Sequence, residues 1–87
     1  MYTIHLLKMA GKDLERLDKP MAKRIVARIQ WLAENIEDSS PIPLQGDLAG
    51  LYKLREGDYR IVYEIIHKEK TILVHGIGHR REIYRKK

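Results

Sequence analysis

Apolar and polar side chains alternate along YKLREGDYRIVYEII (52–66), with Gly57-Asp58 in the middle. A period of two marks strands whose faces meet different surroundings. Gly followed by Asp suits a two-residue hairpin, because a type II′ turn needs positive φ at its first central position. That turn predicts a register in which Glu56 faces Tyr59, Arg55 faces Arg60, Leu54 faces Ile61 and Lys53 faces Val62. Tyr52, Leu54, Ile61, Tyr63 and Ile65 then make a core face, and Lys53, Arg55 and Arg60 share the opposite one. A further strand over about 71–77 follows a turn of two or four residues around 67–70. Either length puts Ile72 and Val74 on the core face and His75 and Ile77 with the cations.

Upstream the pattern changes. YTIHLLK (2–8) reads as a short β-branched strand, and AGKDLERL (10–17) carries Leu14 and Leu17 at helical spacing. Asp18-Lys19-Pro20 interrupts and restarts the chain, with Asp18 or Lys19 near the cap and Pro20 in the first turn. Met21, Ile25, Ile29, Leu32 and Ile36 recur every three or four residues, so 20–36 is an amphipathic helix. Trp31 lies beside that stripe, as a partly buried packing residue. The segment 37–50 is a loop punctuated by Pro41, Pro43, Gly46 and Gly50. The order βααβββ predicts an α+β fold in one domain, 1–87: an antiparallel sheet with an N-terminal helical hairpin on one face.

Composition narrows the chemistry. The 87 residues include no cysteine, which removes disulfides, thiolate catalysis and cysteine-based zinc sites and fits a reducing, cytoplasmic setting. The apolar run near the N-terminus is too short and too interrupted for a signal peptide or a membrane span. A net charge of +5 suits a polyanion, an acidic protein partner or an ordinary basic surface. Like charges facing each other in a sheet cost a few tenths of a kcal/mol, up to ~1. Splayed, solvated side chains screened by Glu56 or Glu64 tolerate that cost. An anion between the cations removes it, since arginine forks match phosphate oxygens.

The C-terminal HGIGHRREIYRKK has histidines at 75 and 79, a metal spacing only on a helix, which Gly76 and Gly78 disfavour. No metal or other cofactor is expected. Gly76-x-Gly78 lacks the rest of a dinucleotide fingerprint, and no Walker motif is present. The strand end delivers His79, Arg80, Arg81 and Tyr84 beside the cations. His exchanges protons near neutrality, Arg offsets charge on a phosphorane, and Tyr stacks on a base or takes a hydroxyl proton. A basic tail anchored by Tyr84 is the plainer alternative.

LYKLREGDYRIVYEI followed by a third strand and IGHRREIYRKK resembles the RelE/ParE superfamily of bacterial toxins, and more closely its RelE branch. The resemblance spans essentially the whole chain and implies a RelE-like fold. It also implies a type II toxin that cleaves messenger RNA at the ribosomal A site, beside 16S rRNA, and is held inactive by a cognate antitoxin. The pair would bind operator DNA, and repress its operon, only as a complex. Lys53 and Arg55 match the family's basic pair, and Arg60 matches the arginine of its YRI-x-Y strand. Arg80 or Arg81 matches the arginine before the terminal tyrosine, Tyr84 matches that tyrosine, and His79 matches the histidine acting as general acid in some relatives. The expected catalytic set is Arg60, Arg81, Tyr84 and His79, with Lys53, Arg55 and Arg80 binding phosphate. Two other readings use the same patch: a ParE-like gyrase inhibitor without nuclease activity, and a plain RNA-binding module.

Overall fold

In the computed structural model, which describes residues 1–83, the chain runs β1 (Thr3–Leu6), α1 (Lys8–Glu15), α2 (Lys19–Glu34), β2 (Ile42–Pro43), β3 (Tyr52–Glu56), β4 (Tyr59–Ile66) and β5 (Thr71–His79). The strands form one sheet in the order β1-β5-β4-β3-β2. β2, β3, β4 and β5 pair antiparallel in succession, while β1 pairs parallel with β5 through Thr3–Leu6 against Thr71–Val74. The α+β reading holds, but the sheet is mixed, because the alternation within a four-residue strand does not encode its direction. β2 also adds a two-residue edge strand inside the stretch read as loop. Two residues carry no visible period, and Pro43, lacking an N–H, suits an edge.

Asp18 caps α2 by accepting a hydrogen bond from the Met21 N–H at 2.9 Å. An N-cap of this kind is worth about 1 kcal/mol. The helix buries Ile25, Ile29, Leu32 and Ala33 against the sheet. Trp31 stays outside this stripe and is 39% exposed, with the Arg28 guanidinium 4.3 Å above its ring. One carboxylate oxygen of Glu56 takes both Nε and Nη2 of Arg24, at 3.1 and 2.8 Å, which ties α2 to the hairpin.

β1 is too short to follow β5 to its end, and α1 takes over that edge. The Leu7 N–H donates to the Val74 carbonyl, and α1 then packs chiefly on β5. Buried Asp13 accepts the Ile77 N–H through Oδ2 at 3.0 Å. An edge N–H left bare there would cost about 1–3 kcal/mol.

Tyr63, Ile25, Leu32, Ile61, Ile72, Ile77 and Val74 are the largest fully buried side chains. Burial, reinforced by nearby Tyr52, pushes the Tyr63 phenol up to about 12. Among the described residues, no helix is long and apolar enough to cross a membrane.

Candidate active site

The β3–β4 register pairs Lys53 with Val62, Leu54 with Ile61, Arg55 with Arg60 and Glu56 with Tyr59, as the alternation predicts. Gly57 takes φ +59°, the positive value that the turn requires. Leu54, Ile61 and Tyr63 enter the core, so Lys53, Arg55 and Arg60 lie on the sheet face turned away from α2. Arg60 is partly buried, and its Nη1 donates to the carbonyls of Gly57 and Tyr59, both at 2.9 Å. Arg55 is exposed, and its carbonyl accepts from Arg28 Nε at 3.2 Å.

Of the two carboxylates expected to screen these cations, one leaves the face and one stays on it. Glu56 turns to the helix side and binds Arg24, with Arg28 Nε 4.0 Å from its other oxygen. Glu64 Oε1 lies 2.9 Å from Nε2 of His75. Glu56 thus leaves the cationic face, while Glu64 remains on it, held by His75 beside the cations.

One irregularity rearranges the next strand. Val62 pairs with Gly76 but Tyr63 pairs with Val74, which leaves His75 as an extra residue in β5. A bulge of this kind sets two residues of one strand against one of its partner. His75 and Gly76 both oppose Val62, so His75 stays on the cationic side. Ile77 does not. It pairs with Ile61, is 2% exposed and belongs to the core, because the inserted residue reverses every face beyond it.

The same reversal moves His79. Gly78 pairs with Arg60, whereas His79 pairs with Tyr59 and meets its ring edge-on at a centroid distance of 5.8 Å. Tyr59 packs against the core, so His79 sits on the helix side of the strand end and not beside Arg60. The Arg80 N–H donates to the Asp58 carbonyl at 2.8 Å, which anchors the tail at the hairpin turn. Arg80 and Arg81 are exposed there. His79 then accepts the N–H groups of Glu82 and Ile83 on its carbonyl and that of Arg81 on Nδ1. Tyr84, read as the terminal functional tyrosine, lies outside the described residues.

That turn brings Ile83 back over β5. A Cβ at Gly78 would lie 3.2 Å from Ile83 Cδ1, and one at Gly76 3.5 Å. The two glycines form a cradle for Ile83, a use that the sequence reading missed although isolated glycines in a strand signal close approach. Val62, Met9, Leu48, Leu51, Ile83, Gly76 and His75 line a neighbouring cavity of about 280 Å³. The His75–Glu64 contact also went unread, since it depends on the bulge. Among the described residues, no group of three or more His, Cys, Asp or Glu side chains is arranged to hold a metal ion.

The family described as the ParE toxin of the type II toxin–antitoxin system parDE matches residues 4–84. The chain is 32% identical to the toxin RelG of Mycobacterium tuberculosis over 89 residues, covering 98% of each chain. It is also 32% identical to the toxin RelE of the same organism, covering 97% of this chain and 87% of that one. Its fold superposes with a TM-score of 0.80 on a chain of the M. tuberculosis RelBE2 toxin–antitoxin complex, at 26% identity over 90% of this chain and 96% of that one. The isolated E. coli RelE toxin gives a TM-score of 0.76 at 21% identity, over 98% and 93% of the two chains.

Proposed function

The chain belongs to the ParE toxin family of type II toxin–antitoxin systems, within the RelE/ParE superfamily, and on that premise we propose that it cleaves messenger RNA in the ribosomal A site. The observation carrying this reading is the register that gathers Lys53, Arg55 and Arg60 on one sheet face while Glu56 is bound to Arg24 on the helix side. Those cations hold the backbone of a strand threaded across the face. The 2′-hydroxyl attacks the adjacent phosphorus, a 2′,3′-cyclic phosphate forms, and the bond to the 5′-oxygen breaks. Arg60 and Arg81 offset charge as the phosphorane develops, and Lys53, Arg55 and Arg80 bind flanking phosphates. Tyr84 holds the base or takes the hydroxyl proton, and the leaving 5′-oxygen takes its proton from water, because His79 lies on the other side of the strand. These steps require no metal or other cofactor. The RelBE relatives assemble with an antitoxin. A cognate antitoxin would silence this chain by covering the cationic face, and the complex would be the form that binds operator DNA.

Primer extension on programmed ribosomes tests the reading. Cuts within the A-site codon are expected. A second reading, gyrase inhibition, is favoured by the ParE description of the matching family. Intact messenger RNA together with gyrase-dependent DNA breaks would replace the first reading with the second.

A further inference from the structure

We propose that His75, oriented by Glu64, is the general base of this site. The inference rests on the nuclease reading above. The bulge places His75 on the same face as Lys53 and Arg60, with His75 and Gly76 opposite Val62. Lys53 faces Val62 from the other side, so the imidazole and that ammonium stem flank one residue. His75 Nε2 lies 2.9 Å from Glu64 Oε1, and the ring lines the 280 Å³ cavity above Val62. Its side chain is 33% exposed, open enough to meet a substrate and enclosed enough to be held.

A carboxylate on one ring nitrogen fixes the tautomer. With Nε2–H donating to Glu64, Nδ1 carries the lone pair and is the basic atom. His79 is placed less favourably for this task, since it sits against Tyr59 on the opposite side and its Nδ1 already accepts the Arg81 N–H.

In this step Nδ1 of His75 takes the proton of the 2′-hydroxyl. The 2′-oxygen forms its bond to phosphorus as the bond from phosphorus to the 5′-oxygen breaks. The leaving 5′-oxygen takes a proton from water, and the imidazolium returns its proton to solvent after release. Glu64 balances the imidazolium charge, and Tyr84 is left to hold the base. Glu64 is a positioning residue, because it acts through the ring.

The test is single-turnover cleavage on programmed ribosomes, with ribosome binding measured separately. His75→Gly is expected to lose about 10²–10⁴-fold in rate with unchanged binding, the range of general base catalysis. Imidazole added to the reaction is expected to recover at least tenfold of that loss. Glu64→Ala is expected to slow cleavage at saturating ribosomes, and Glu64→Gln, which keeps an acceptor for Nε2–H, to recover part of the rate. His75→Gln guards against backbone effects of glycine and should be slow without imidazole rescue. Wild-type rates in both His75 variants, or a loss in His75→Gly that imidazole does not restore, overturn the proposal while leaving the nuclease reading intact. Absence of cleavage by the unchanged chain overturns both.

Discussion

Arg60 differs from the other two cations of the hairpin in how it is held. Its Nη1 bonds to the Gly57 and Tyr59 carbonyls fix the guanidinium plane, whereas Arg55 is exposed. A fixed fork costs little entropy when a phosphate arrives. Arg60→Ala is therefore expected to abolish toxicity with the fold retained, and Arg60→Lys to rescue it poorly, since an ammonium has no fork. Growth arrest on induction, with circular dichroism as the fold control, reads both. Tyr63 makes a stability prediction at the same scale. Its phenol, 1% exposed and pushed up to about 12, keeps its proton at pH values where the unfolded chain, with a value near 10, loses it. The folded state then binds more protons, so its stability is intact below pH ~10 and falls as pH rises toward ~12, by roughly 3 kcal/mol in all. Denaturant titrations across that window should show the fall in the unchanged chain and a much flatter profile in Tyr63→Phe.

At the scale of elements, the hairpin was legible and the strand after it only in part. Gly57-Asp58 fixes the β3–β4 register locally, and period two does the rest, so every pair from Tyr52–Tyr63 to Glu56–Tyr59 follows from the sequence. The turn at 67–70 was also bounded correctly, with Lys70 at φ +50° closing a four-residue connection. The bulge at His75 left no such trace, because IGH and VHG read alike whether one residue is inserted or not. A single extra residue sends Ile77 to the core and His79 to the far side, while keeping His75 beside the cations. The Gly76 and Gly78 pair was visible but had no reader until Ile83 was seen lying on it. Gly78→Val should force Ile83 away, since the nearest atoms include its Cβ at 3.5 Å and Cα at 3.7 Å, and backbone gives way less readily than a side-chain tip. A loss of about 1–3 kcal/mol is expected. Thermal unfolding checks it, and Ile83→Ala in the same chain should return part of the loss.

On the scale of the molecule, charge and apolar surface lie side by side on one face. Lys53, Arg55 and Arg60 occupy one part of it, and Val62, Leu48, Leu51, Met9 and Ile83 border the cavity beside them. On the proposed function, RNA would satisfy the first part. A protein partner satisfies both if its segment carries Asp or Glu between Leu or Val anchors, which would explain how one antitoxin excludes a much larger polyanion. The two ligands then differ in their response to salt. On the proposed function, ribosome binding would be dominated by counterion release, so its affinity should fall steeply and linearly with salt on logarithmic axes. Partner binding keeps an apolar share that salt does not screen, and its slope should be shallower. Removing one exposed cation by Arg55→Ala should lower the ribosome slope by about one while weakening the partner modestly. Titrations of both ligands between low and physiological salt provide the comparison. Equal slopes for ribosome and partner would mean that the apolar border contributes nothing to recognition, and the chain would then be silenced by charge alone.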